Sequence, residues 1–166
     1  MKITKLKNGK YKVGDIITYD EVILKLNLFN EKNIDVNKIY EENKYYDEYY
    51  KIIKMIEKKK RTKKEIQKIT NNKSLLEKLE KEGYIDDKEY VKAYLHDKLL
   101  FTSYGPLKLK YNLLQLGIDE ELIDEEINKI DYKIFLNKLD KLKNKSINYL
   151  INQGYDIEDI KKKRNN

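Results

Sequence analysis

The sequence predicts a mainly α fold: three tandem three-helix repeats in an elongated array, with a small N-terminal β-hairpin arm. Three observations carry that expectation. The chain stops a helix on glycine and starts the next on aspartate at Gly83-Tyr84-Ile85-Asp86, Gly117-Ile118-Asp119 and Gly154-Tyr155-Asp156. Glycine just past a helix takes φ > 0 without a Cβ penalty, and aspartate accepts the orphan N–H groups of the helix that follows. From Asp35 onward the apolar residues recur at helical spacing. The breaks between helices return every ~40 residues, a period typical of helical repeats.

The arm occupies residues 1–29. Asn8-Gly9 is a type I′ hairpin signal, flanked by loose alternation over Met1–Leu6 and over Lys10–Val13. Gly14-Asp15 turns the chain towards Ile16-Ile17, and Thr18-x-x-Glu21 has capping-box spacing ahead of Val22, Ile23 and Leu26. An isolated hairpin is barely stable, so the arm is expected to dock on helices. Repeat one, 36–86, opens with a long helix whose stripe is Tyr45, Tyr49, Ile52 and Ile56. Thr62-x-x-Glu65 caps a short helix with Ile66 and Ile69; Asn71-Asn72 breaks the chain before Leu75, Leu76 and Leu79, and Gly83 closes the third helix.

Repeat two, 87–130, follows the start signal Asp86-x-x-Glu89, with Tyr90, Tyr94, Leu95 and Leu99 inward. Pro106 stands where a first turn tolerates it, ahead of Leu109, Leu113 and Leu116, and Asp119 caps a helix with Ile123, Ile127 and Ile130. Repeat three, 131–166, carries Phe135, Leu139 and Leu142, then Ile147, Leu150 and Ile151, then Ile157 and Ile160.

Lys and Arg number 36 against 29 Asp and Glu, a net charge of +7 that draws the chain to polyanions. The bias towards Lys, Ile, Asn and Tyr is also what an AT-rich genome imposes, so charge alone does not decide the partner. The absence of Cys excludes disulfides, thiolate metal sites and cysteine nucleophiles. No apolar leader and no run near the ~20 residues of a membrane span is present, which predicts a cytosolic protein with no membrane contact. His96 is the sole histidine and stands beside Asp97 and Lys98, which reads as a surface side chain. Asp86-Asp87 reads as a helix start rather than a Mg²⁺ pair, and no Gly-rich phosphate loop exists. The expectation is a protein that is not an enzyme and takes no cofactor or metal.

Positions 58–64 hold six cations, Lys58, Lys59, Lys60, Arg61, Lys63 and Lys64. Cations at a helix C-terminus offset the dipole and need no partner, but six exceed what one helix end requires, which favours an anionic partner. Lys108 and Lys110 follow a helix start, the wrong end for dipole compensation. The candidate binding residues are therefore Lys59, Lys60, Arg61, Lys63, Lys64, Lys108 and Lys110. Lys161–Arg164 reads as a solvated terminus, and tyrosines at helical spacing read as core amphipaths rather than base-stacking platforms.

The stretch Lys81-Glu82-Gly83-Tyr84-Ile85-Asp86-Asp87-Lys88-Glu89-Tyr90-Val91-Lys92-Ala93-Tyr94 resembles the most recognisable part of the RecX regulatory proteins. Tyr104-Gly105-Pro106-Leu107-Lys108-Leu109-Lys110 with Leu116-Gly117-Ile118-Asp119 is similar to the family's second repeat, and Arg61-Thr62-Lys63-Lys64-Glu65 to a turn in its first. The resemblance implies three tandem three-helix repeats and a protein that is not enzymatic; a monomer is expected. Its implied partner is the filament that RecA recombinase forms on single-stranded DNA and its implied effect is restraint of RecA; the Lys59 to Lys64 cluster with Lys108 and Lys110 is then expected to touch acidic RecA surface or the phosphates of the single-stranded DNA. The chain departs from the pattern at Thr70-Asn71-Asn72-Lys73, which predicts a truncated first unit, and at Gln153, where the family often has arginine. The alternatives from the residues alone are a sequence-nonspecific DNA-binding module and a helical adaptor for an unrelated protein.

Overall fold

Alternating residues at the N-terminus build a sheet, and helical stripes build everything after it. The computed structural model of the chain describes residues 1–165 and divides into two compact units, Met1–Lys59 and the remainder from Lys60. It is mainly helical, with ten helices and one three-stranded antiparallel sheet among the described residues. The boundary between the units falls inside residues 36–86.

In the first unit β1 (Ile3–Lys5), β2 (Tyr11–Val13) and β3 (Ile16–Thr18) form a meander, followed by α1 (Asp20–Lys25) and α2 (Val36–Lys58). The arm is thus one strand larger than a hairpin. Gly14, with φ +59, takes the first position of a two-residue turn that pairs Val13 with Ile16. The Asn8-Gly9 turn is not type I′, because Gly9 has φ +82 while Asn8 is not among the positive-φ residues. The Gly9 N–H donates to the Leu6 carbonyl and the Leu6 N–H to Lys10, which places the glycine in the bulge position of a longer loop.

Thr18 does not cap α1; Tyr19 stands at that position without a side-chain cap. Thr18 is fully buried instead, and its hydroxyl donates to Asn43 Oδ1 at 2.5 Å, while Asn43 Nδ2 donates to the Ile17 carbonyl at 2.9 Å. One asparagine on α2 therefore satisfies the end of the sheet. The core beneath is Val13, Val22, Ile23, Leu28, Ile39, Tyr46, Tyr49, Ile52 and Ile53. Tyr19 and Tyr50 stack with ring centroids 5.1 Å apart, their hydroxyls bonded to Asp47 and Glu21. Burial, then the bond to Asp47, pushes the Tyr19 phenol up to about 12.

The second unit holds α3 (Lys63–Gln67), α4 (Lys73–Lys81), α5 (Asp87–Phe101), α6 (Pro106–Gln115), α7 (Glu120–Asn128), α8 (Tyr132–Lys141), α9 (Ile147–Asn152) and α10 (Ile157–Asn165). Three helix ends share one motif. Gly83, Gly117 and Gly154 have φ of +80, +77 and +90, and the next residue donates its N–H five residues back, from Tyr84 to Leu79, Ile118 to Leu113 and Tyr155 to Leu150. Asp86, Asp119 and Asp156 then accept N–H groups of the following helix, as the sequence predicts.

One continuous core runs from Val91 and Leu95 through Leu109, Leu113, Ile118 and Ile123 to Phe135, Leu139, Leu150, Tyr155 and Ile160. Burying each such side chain contributes roughly 1.5–3 kcal/mol, so α5 to α10 stabilise one another. Ile147, Ile151 and Ile157, expected inward, are instead 40%, 46% and 37% exposed, because each short helix turns only one residue (Leu150 or Ile160) fully into this core. Lys138 on α8 donates to the carbonyls of Leu99 and Thr102 at 2.5 and 2.7 Å, capping α5 from outside, while burial lowers its pKa.

Candidate partner interface

The basic run begins at the end of α2, where Lys58 and Lys59 are exposed. Lys59 is the C-cap, its N–H donating to the Met55 carbonyl at 3.2 Å, so its cation sits where the helix dipole favours one. It forms no ion pair among the described residues.

In the second unit the run is held by the start of α3. Thr62 forms a complete capping box: its hydroxyl oxygen accepts from the Glu65 N–H at 3.2 Å, and Glu65 accepts from the Thr62 N–H at 2.8 Å. The same buried hydroxyl donates to the Leu116 carbonyl at the end of α6, 3.0 Å away. The Lys63 N–H donates to Asp87 at 2.9 Å. Asp86 and Asp87 thus each hold a backbone N–H, one at the start of α5 and one at the start of α3.

These anchors sort the cations. Arg61 pairs with Glu65 at 3.6 Å and Lys63 with Glu80 at 2.6 Å. Lys60 and Lys64 are exposed and have no carboxylate partner among the described residues. The Lys64 stem lies against Gly117, where an added Cβ would stand 2.5 Å from Lys64 Cγ. On α6, Lys110 reaches Glu120 and Asp124, both at 2.8 Å; the bond to Asp124, then that to Glu120, raises its pKa above the ordinary lysine value. Its charge is already met. The Lys108 ammonium instead lies 4.5 Å from the Tyr104 ring centroid, a cation–π contact that leaves the positive charge uncompensated.

The start of α6 is closed by the joint between α9 and α10. The Gly105 N–H donates to the Gln153 carbonyl at 2.6 Å and the Leu107 N–H to the Gly154 carbonyl at 3.0 Å. Gln153 also accepts from the Ser103 hydroxyl at 3.1 Å, and the buried Tyr155 hydroxyl donates to the Ser103 carbonyl at 2.7 Å. Gln153 therefore has a structural task, consistent with no basic contact there. His96 is exposed beside Asp97.

The seven sequence candidates thus fall into two sets. Lys59, Lys60, Lys64 and Lys108 offer unmatched positive charge, whereas Arg61, Lys63 and Lys110 are engaged in ion pairs. Thr62, Asp87 and Tyr104 position the candidates, a role that is not among those the sequence reading assigns to them. A capping box signals Thr62 and the i, i+4 spacing of Tyr104 and Lys108 is equally local, but the contact of Asp87 joins it to Lys63, distant in sequence, and leaves no local trace.

Residues 86–126, the span of α5 to α7, match the family model for RecX, second three-helix domain. A solved structure described as regulatory protein RecX is 18% identical and covers 99% of this chain and 98% of that one, with a TM-score of 0.82. RecX from Lactobacillus salivarius is 19% identical over 73% of this chain and 94% of its own, with a TM-score of 0.65. At these identities the likeness establishes the fold. No curated protein sequence matches the chain. The resemblance expected from the middle of the sequence is borne out, as is the mainly helical fold with its small N-terminal sheet.

Proposed function

We propose that this chain, a RecX-family protein by its second three-helix domain and its fold, is a regulator that binds the filament RecA recombinase forms on single-stranded DNA and restrains RecA activity. The family match on α5 to α7 carries this reading. The unmatched cations Lys60, Lys64 and Lys108 beside and within that domain support it, because they suit a polyanionic or acid-lined partner. It acts by binding, as a cytoplasmic monomer without cofactor, through repeats we place at 36–86, 87–130 and 131–166. No helix among the described residues is long and apolar enough to cross a membrane.

The test is addition of the purified protein to RecA filaments on single-stranded DNA, following ATP turnover and strand exchange. Both should slow; no change at an equimolar amount refutes the proposal. Replacing Lys60, Lys64 and Lys108 with Gln should weaken the effect, whereas replacing Arg61, Lys63 and Lys110 should weaken it less. The second reading, a sequence-nonspecific DNA-binding module, is favoured by the same unmatched cations. It predicts binding to bare DNA whose affinity falls with salt at about one counterion per phosphate contact.

A further inference from the structure

α6 is apolar on two sides, and only one of them faces the core. Leu109 and Leu113 are fully buried. Leu107, Tyr111 and Leu114 stand at i, i+4 and i+7, a single stripe on the opposite side, 54%, 61% and 37% exposed. A helix that served only to pack against its own core would carry polar residues on that stripe. The Tyr111 hydroxyl makes no hydrogen bond among the described residues, so the ring is not held for the fold.

The edges of the stripe are charged in a definite way. At its N-terminal end is Lys108, its ammonium over Tyr104; at its C-terminal end the Lys64 stem lies against Gly117. Neither has a carboxylate partner among the described residues. Lys110, the other cation of α6, is neutralised by Glu120 and Asp124. The surface is therefore an apolar strip about 10 Å long, at 1.5 Å per residue, with unmatched positive charge at both ends.

We infer that this outward face of α6 docks on the protein component of the filament, where it takes an apolar element flanked by carboxylates. The inference rests on the proposed function and names the surface that performs it. Two aliphatic side chains flanking one ring are poorly suited to nucleobases, which bind best to planar aromatic or guanidinium partners. Buried against apolar protein side chains, the same three residues lose water from one shared stripe, while Lys64 and Lys108 select acidic neighbours. A second copy of the chain would bring the same cations to the same ends and be repelled.

The experiment compares the full chain with a variant carrying Leu107→Ser, Tyr111→Ala and Leu114→Ser. Binding is measured to RecA filaments on single-stranded DNA and, separately, to the bare oligonucleotide, with circular dichroism reporting the fold. The inference expects filament affinity to fall by about tenfold or more, about 1.4 kcal/mol, as for the loss of a buried interface anchor, while bare-DNA affinity holds. A folded variant that keeps its filament affinity overturns it, and so does an equal loss on bare DNA. Should the unaltered chain fail to bind filaments, the proposed function itself has failed, and that is seen before any variant is made. If the triple variant does not fold, a photocrosslinking residue at position 111 decides: an adduct with RecA supports the inference, whereas an adduct with DNA, with a second copy, or with nothing overturns it.

Discussion

Gly83 and Gly154 offer a controlled comparison, because they occupy the same position of the same helix-ending motif at similar φ, +80 and +90. Replacing either with alanine puts a Cβ into the left-handed region, which costs roughly 1–2 kcal/mol, partly offset by ~0.4–1 kcal/mol from a less flexible unfolded chain. At Gly83 that is the whole effect, since nothing lies within 4 Å of the added atom. At Gly154 the Cβ would stand 2.2 Å from Lys108 N and 2.5 Å from Lys108 Cβ, and backbone cannot be pushed aside as a side-chain tip can. The joint must open, straining the Gly105–Gln153 and Leu107–Gly154 hydrogen bonds, each worth about 1 kcal/mol, with overpacking adding ~1–3 kcal/mol. Gly83→Ala should therefore cost about 1 kcal/mol and Gly154→Ala about 3–5 kcal/mol. Urea titration followed by circular dichroism measures both, and amide exchange at residues 103–108 should accelerate only in Gly154→Ala. Equal midpoints for the two variants would refute the claim that the α6 start is held by backbone contact with this joint.

Thr62→Val removes both the α3 cap and the bond to Leu116, so a loss of about 1–3 kcal/mol in thermal or urea unfolding is expected; a change below the experimental error would contradict the cap. Burial holds the Tyr155 phenol at about 12, above its ordinary value of 10.0. The raised pKa means that stability is intact below pH 10, falls as the unfolded chain ionises first, and has lost this contribution once pH passes about 12. Tyr155→Phe should flatten the fall between pH 10 and 12 in chemical denaturation series, at the cost of the Ser103 hydrogen bond, about 1 kcal/mol at neutral pH. Lys138→Met strips the cap from the Leu99 and Thr102 carbonyls and should raise amide exchange at the end of α5, while Lys138→Arg should preserve part of the protection.

The local grammar of the chain was readable. Gly83, Gly117 and Gly154 stop helices, Thr62 closes a capping box with Glu65, and Pro106 begins α6, because each depends on neighbours within a few residues. Local spacing misleads where a distant residue outbids a near one. Thr18 has the spacing of a cap, yet Asn43 on α2 claims its hydroxyl and draws Ile16–Thr18 into a third strand. The stripe that the sequence predicts for the long helix runs through Tyr45 and Ile56, but Ile39, Tyr46 and Ile53 are the buried residues beside Tyr49 and Ile52, since the helix turns its face to the sheet and α1. For the candidate interface, composition located the cations but could not sort them. Whether a lysine is free or matched depends on Glu80, Glu120 and Asp124, which only folding brings near.

The closed start of α6 limits how a phosphate could be held there. Exposed helix beginnings normally grip anions with their amides, yet here Leu107 and Gly105 already donate elsewhere and the Lys108 amide is shielded by Gly154. Any nucleotide reaching this spot would meet only a flexible ammonium on a four-carbon stem, a point charge without directional preference. Such a contact slides along a backbone readily and fixes no register, leaving positional accuracy to whatever else this chain touches.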